Sequence, residues 1–151
     1  MENINEILEI GTKRAQDAAL PYRGALTPAE AYKLLQNYEG AQLVDVRTRA
    51  EWEWVGRPAQ AVHIEWNTWP AGTRNPEFAD TLGAAAPDKQ APLLFICRSG
   101  VRSSAAATLA AELGYRNAFN VLEGFEGDKD PDGHRNRVNG WRVHHLPWIQ
   151  T

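Results

Sequence analysis

Short apolar runs rich in β-branched residues alternate along this chain with helical segments that carry their own start and stop signals, and that alternation leaves few folds open. Residues 41–46 read as a buried strand, and 61–64, 92–96 and 118–122 as further short strands. Thr27 and Glu30 form a capping box with Pro28 at the first helical position, which opens a helix to about Gln36, and Gly40 ends that unit. A brief helix follows over 49–54. Asn75, Pro76 and Glu77 cap another through about Ala85, and the Ala-rich stretch 103–113 is a helix stopped by Gly114. Strands separated by helices at this spacing imply parallel βαβ units, hence an α/β domain with helices on both faces of one sheet. Ligands of such folds bind beyond the carboxyl ends of the strands, where the strand order reverses.

Ahead of these units, Ile4, Ile7, Leu8 and Ile10, then Ala15, Ala18 and Ala19, recur at close to helical spacing. They predict an amphipathic helix that closes before Pro21 and packs onto the domain. The expected organisation is a helical extension, 1–22, and a single domain, 23–151. Gly, Asp, Asn and Arg crowd the stretch 124–140, an excursion expected to end where Trp141 and Trp148 re-anchor the tail.

Charge and composition exclude several functions. With 16 Lys and Arg against 19 Asp and Glu, the net charge of −3 has the wrong sign for a protein that tracks nucleic-acid phosphates. No apolar stretch approaches the roughly 18 residues that a membrane-spanning helix needs. The start, Met1 to Glu6, is acidic where a secretory signal is basic, so the cytoplasm is the expected compartment. A single cysteine excludes an internal disulfide framework and a Cys-rich zinc site, and a reducing compartment suits it.

That cysteine sits where chemistry is expected. Phe95 and Ile96 end a strand, Cys97-Arg98-Ser99-Gly100 make a short loop, and a helix begins within Val101-Arg102-Ser103. The thiol is therefore placed at the carboxyl edge of the sheet, facing helix N–H groups that favour an anion, with Arg98 and Arg102 adding positive charge. All three influences favour thiolate over thiol. A lone cysteine at a strand end is commonly a small buried hydrophobe. An inert one, however, has no use for two arginines, a glycine and a helix start beside it.

At this point the sequence resembles the rhodanese family of sulfurtransferases over about residues 25–125. Leu43-Val44-Asp45-Val46-Arg47 is similar to the family's early D-x-R strand, Glu51-Trp52 to its acidic-aromatic helix, and Cys97 to Ser103 to its active-site loop. Leu122-Glu123-Gly124-Phe125 matches the turn after the last strand, and Gly140-Trp141 with Leu146-Pro147 the closing segment. The resemblance implies a rhodanese-like three-layer fold with a central, mainly parallel five-stranded sheet. It also implies a persulfide on Cys97, a cradle of backbone N–H groups from Ser99, Gly100, Val101, Arg102 and Ser103, and an anionic sulfur donor such as thiosulfate held by Arg98 and Arg102. Asp45 and Arg47 would brace the fold by ion pairing. The reaction needs no metal or organic cofactor. With no second cysteine, the sulfur must leave to an external acceptor, either a thiol or another protein; rhodanese-like domains also serve as relay or interaction modules fed by a protein donor. Two departures stand out. The family's G-H-I-P-G-A turn appears as Gly56-Arg57-Pro58-Ala59-Gln60-Ala61, one residue further from Asp45, and residues 127–139 form a longer insertion able to reshape the pocket mouth.

Cysteine phosphatases and arsenate reductases use a related loop, in which five residues separate the cysteine from an arginine that clamps two oxygens. Here that position is Ser103, and Arg102 comes one place early. Asp128, Asp130, Asp132 and Gly133 look like a calcium loop, but its twelfth position is Asn139 instead of a bidentate Glu. His134, His144 and His145 fit no metal-ligand spacing on a helix. Of the six tryptophans, Trp66 and Trp69 follow a strand end and are candidates to wall the pocket.

Overall fold

The computed structural model describes residues 3–150, so residues 1, 2 and 151, the outer ends of the two expected segments, lie outside the described residues. In chain order the elements are α1 (Ile4–Asp17), β1 (Gly24–Leu26), α2 (Pro28–Asn37), β2 (Gln42–Asp45), α3 (Arg49–Trp54), β3 (Arg57–Pro58), β4 (Val62–His63), α4 (Phe78–Ala85), β5 (Leu93–Ile96), α5 (Val101–Glu112), β6 (Ala118–Val121) and β7 (Trp148–Ile149). Five strands form one sheet in the order β1-β6-β5-β2-β4, with every neighbouring pair parallel. β3 and β7 pair separately as a short antiparallel ribbon.

Helix starts follow local chemistry. Asn3 with Glu6, Thr27 with Glu30 and Thr48 with Glu51 each close a reciprocal capping box, which satisfies backbone N–H groups that a first turn leaves without partners. α4 departs from expectation because it begins at Phe78 with no side-chain cap. Asn75 instead accepts from the Glu77 N–H at 3.0 Å and donates to the Glu65 carbonyl at 2.9 Å, closing the turn before the helix. α5 begins at Val101, two residues earlier than the alanine run suggests, because Gly100 adopts a left-handed φ of 111° and turns the chain straight into the helix.

The sheet divides the core in two, and the two-residue period of β5 shows how. Leu93, Phe95 and Cys97 face α4 and α5, packing with Val44, Ile64, Phe78, Leu82 and Ala106. Leu94 and Ile96 face the other side, with Ile7, Leu34, Phe119, Phe125 and Trp141. α1 lies on that second side, seated on β1 through buried Ile7, Gly11 and Ala15. Arg14 joins it to α2 through a forked pair to Glu30, at 2.6 and 3.0 Å. Beneath the site, Arg47 and Asp45 are fully buried and paired at 2.8 Å, and Arg47 also donates to the Gly56 carbonyl. No helix among the described residues is long and apolar enough to cross a membrane.

Candidate active site

Cys97 follows the last residue of β5, a central strand of the sheet, so its position is set by pairing on both sides: Phe95 and Ile96 align with Val44 and Asp45 of β2, and Phe95 also with Asn120 of β6. The residue is 1% exposed. Its Sγ accepts the Gly100 N–H at 3.1 Å and lies 3.2 Å from Ser103 Oγ. Ser103 is fully buried in the first turn of α5, and its hydroxyl continues to Asn120 Oδ1 at 2.6 Å. The first hydrogen bond of α5 runs from Ser104 N–H to the Gly100 carbonyl. The N–H groups of Val101, Arg102 and Ser103 therefore have no carbonyl one turn back, the arrangement that favours an anion.

A second layer fixes the loop from behind. The N–H of Phe125 donates to the Cys97 carbonyl at 2.8 Å, and those of Glu126 and Gly127 to the Arg98 carbonyl at 3.0 and 3.1 Å. Gly124 lies so close that a Cβ there would stand 2.5 Å from Arg98 backbone atoms, and its φ is +70°. Only glycine fits that turn without moving the cysteine loop.

The two loop arginines differ in their commitments. Arg102 grips Glu51 of α3 through two parallel hydrogen bonds, 2.7 and 3.0 Å. Burial, the largest influence on Glu51, pushes its carboxyl up, but the hydrogen bonds and charge of Arg102, the Thr48 N–H and the charge of Arg47 together outweigh it and hold the group down to about 2. Burial likewise pushes Arg102 down, and the contacts with Glu51 and the fields of Cys97 and Asp45 reverse it, leaving the guanidinium raised. Arg98 is exposed, with no partner for its guanidinium among the described residues.

Above the loop is an open groove of about 640 Å³ lined by Trp54, Trp69, Arg98, Arg102, Glu126 and Arg135, among others. Trp69 thus walls the mouth, whereas Trp66 stacks edge-on against Phe78 and lies under Arg74. Arg135 comes from the 127–139 excursion and is anchored on the Gly127 carbonyl at 2.6 Å. Asp128, Asp130 and Asp132 do not converge: Asp130 accepts the N–H groups of Asp132 and His134, and no group of three His, Cys, Asp or Glu placed to hold a metal occurs among the described residues. His144 pairs with Glu123. Sequence reasoning missed two participants. Asn120 reads as an ordinary strand residue, and the bond between Glu51 and Arg102 joins residues far apart in the chain.

The Rhodanese-like domain family model matches residues 27–130. A Haemophilus influenzae protein named thiosulfate sulfurtransferase GlpE is 31% identical over 108 residues, covering 72% of this chain and 89% of its own. The Rickettsia conorii protein RC0915 is 37% identical over 125 residues, covering 79% of this chain and 91% of its own. Among solved structures, Rv0390 from M. tuberculosis superposes with a TM-score of 0.78 at 43% identity, covering 86% of this chain and 99% of its own. A polysulfide-sulfur transferase homodimer from Wolinella succinogenes shares the fold, with a TM-score of 0.59 at 22% identity over 99% of this chain and 95% of its own.

Proposed function

The chain belongs to the rhodanese-like domain family, whose relatives include sulfurtransferases, and we propose that it moves sulfane sulfur from an anionic donor such as thiosulfate to a thiophilic acceptor through a persulfide on Cys97. The observation that carries this reading is the Cys97 sulfur itself, held 3.1 Å from the Gly100 N–H at the start of a helix. The Cys97 thiolate attacks the outer sulfur of thiosulfate. A new S–S bond forms, the S–S bond of the donor breaks, and sulfite leaves with its electron pair, so that two negative charges depart and one remains on the terminal sulfur. Cyanide or an external thiolate then takes that sulfur and Cys97 regains its thiolate. The first-turn N–H groups of Val101, Arg102 and Ser103, with the loop around Ser99 and Gly100, offset the charge on the terminal sulfur. Arg98, exposed and unpaired, receives the donor anion, while Arg102 contributes its field with its fork held by Glu51. A fork so occupied also tells against phosphatase chemistry, which needs an arginine to clamp two phosphate oxygens.

Mass spectrometry after thiosulfate treatment tests the proposal. A gain of one sulfur is expected, removable by cyanide and absent from Cys97→Ser; a native protein that takes up none overturns it. A second reading, delivery of sulfur by a protein donor, is favoured by Trp54 and Trp69, which are 80% and 70% exposed at the mouth of the groove. Faster loading by a cysteine desulfurase than by thiosulfate, slowed by Trp69→Ala, is the result that this second reading requires.

A further inference from the structure

A carbonyl oxygen can only accept a hydrogen bond, and that constraint fixes the direction of every bond in the chain of groups behind the Cys97 sulfur. The Asn120 amide, 4% exposed on β6, lies between the Gly100 carbonyl and the Ser103 hydroxyl. The end that meets the Gly100 carbonyl at 3.2 Å must be the NH2 group. The end that meets Ser103 Oγ at 2.6 Å must then be the amide oxygen, to which Ser103 gives its single hydroxyl proton. What remains is the 3.2 Å contact between Cys97 Sγ and Ser103 Oγ, which is a hydrogen bond only when the thiol proton points at the serine.

We propose that Asn120 is a positioning residue that holds the Ser103 hydroxyl as an acceptor for the Cys97 thiol, and so withholds from the thiolate a donor that it would otherwise have. When the sulfur loses its proton, the Gly100 N–H remains directed at it. Turning Ser103 toward the sulfur strands the buried Asn120 oxygen, at a cost comparable to the bond gained. A thiolate with fewer donors is a stronger nucleophile and a poorer leaving group. For a sulfur carrier that means a sulfur slow to leave, with a smaller thiolate fraction available for uptake at neutral pH. This consequence rests on the reading of Cys97 as the carrier; the proton arrangement itself does not.

Charged or titratable side chains on the elements around the thiol include Arg98 on the loop, Arg102 on α5, Glu51 on α3, Asp45 and Arg47 at the end of β2, Asp80 on α4, Glu123, Glu126 and His144 beyond β6, and Arg135 across the groove. All are the same in each variant below. The chain has one cysteine, so the S–H stretching band in the infrared belongs to Cys97 without labelling. In mildly acidic buffer the native band is expected at the low-frequency position of a donating thiol. Asn120→Ala frees Ser103 to turn and moves the band to the position of a non-donating thiol. Ser103→Ala removes the acceptor and gives the non-donating band through a different residue, should Asn120→Ala fail to fold. Alkylation by iodoacetamide at neutral pH should run up to about tenfold faster in Asn120→Ala, the equivalent of one hydrogen bond to an anion. A native band at the non-donating position, or no band at all, overturns the proposal, as does a band unmoved by both Asn120→Ala and Ser103→Ala. Discharge of the loaded protein to cyanide should be faster in Asn120→Ala; if no variant can be loaded, the carrier reading fails while the band still decides the role of Asn120.

Discussion

Glu51 shows how much of this site is arranged by a residue that touches no sulfur. Its carboxylate closes the capping box of α3 through Thr48 and receives both arms of Arg102, so one side chain ties a helix start to the cysteine loop. Both partners are mostly buried, with 18% of the Glu51 side chain and 21% of that of Arg102 exposed, so the pair is screened less than a surface ion pair. Held down to about 2 from an ordinary 4.5, the carboxyl binds its proton more weakly in the folded chain than in the unfolded one. Its stabilisation is therefore complete above about pH 5 and drains away as the pH falls through 4.5 toward 2. Glu51→Gln should cost on the order of 2 kcal/mol at neutral pH, measured by urea unfolding. The gap between variant and native protein should close as the buffer is made acidic. A gap that stays constant with pH refutes the assignment of this stability to the Glu51 charge.

At the scale of elements, the seat of α1 on β1 depends on two residues without side chains. A Cβ on Gly24 would stand 2.8 Å from the Phe119 ring and 2.9 Å from the Gly11 backbone, so the helix rests directly against the strand. Gly24→Ala must lift α1 or displace Phe119, with an expected loss of about 1–3 kcal/mol in urea unfolding. The site should be little affected, because β5 and β6 carry the cysteine loop independently of α1. Retention of native stability would mean that α1 is not held this tightly. β1 itself was not legible in the sequence: Gly-Ala-Leu has neither the length nor the β-branching that mark β2 and β5, and it becomes a strand only by pairing with β6. The β3–β7 ribbon escaped for a similar reason, since two residues carry no periodicity and the pairing joins Pro58 to Trp148. The capping box at Thr27 is local chemistry and could be read directly. So could the sequence Cys97 to Ser103, where strand end, glycine and helix start are contiguous. Asn120 and the partner of Glu51 could not, because each depends on contacts that only the assembled sheet creates.

Across the whole molecule, the C-terminal tail connects the face of the sheet opposite α5 to the back of the cysteine loop. Trp141 is 2% exposed, stands edge-on to Tyr32 of α2 at 5.9 Å, and donates its ring N–H to the Pro147 carbonyl at 3.0 Å. Its own backbone N–H donates to the Gly124 carbonyl at 2.8 Å, and Gly124 is the residue pressed against the Cys97 and Arg98 backbones. The 127–139 excursion between them is closed by Asn136 on the Glu126 carbonyl and by Asp128 on Asn139. One buried ring thus holds the tail, and the tail holds the turn that backs the site. Trp141→Ala should cost about 3–5 kcal/mol, as expected when a large aromatic leaves a full cavity. Trp141→Phe keeps most of the packing and loses only the bond to Pro147, so its cost should be far smaller. The informative comparison is the rate at which the folded fraction of each variant takes up sulfur from thiosulfate. If the tail acts through Gly124, Trp141→Ala should load more slowly even where it is fully folded, while Trp141→Phe should load at the native rate. Equal rates per folded molecule would separate the stability of the domain from the geometry of its loop, and would leave Gly124 held by the sheet alone.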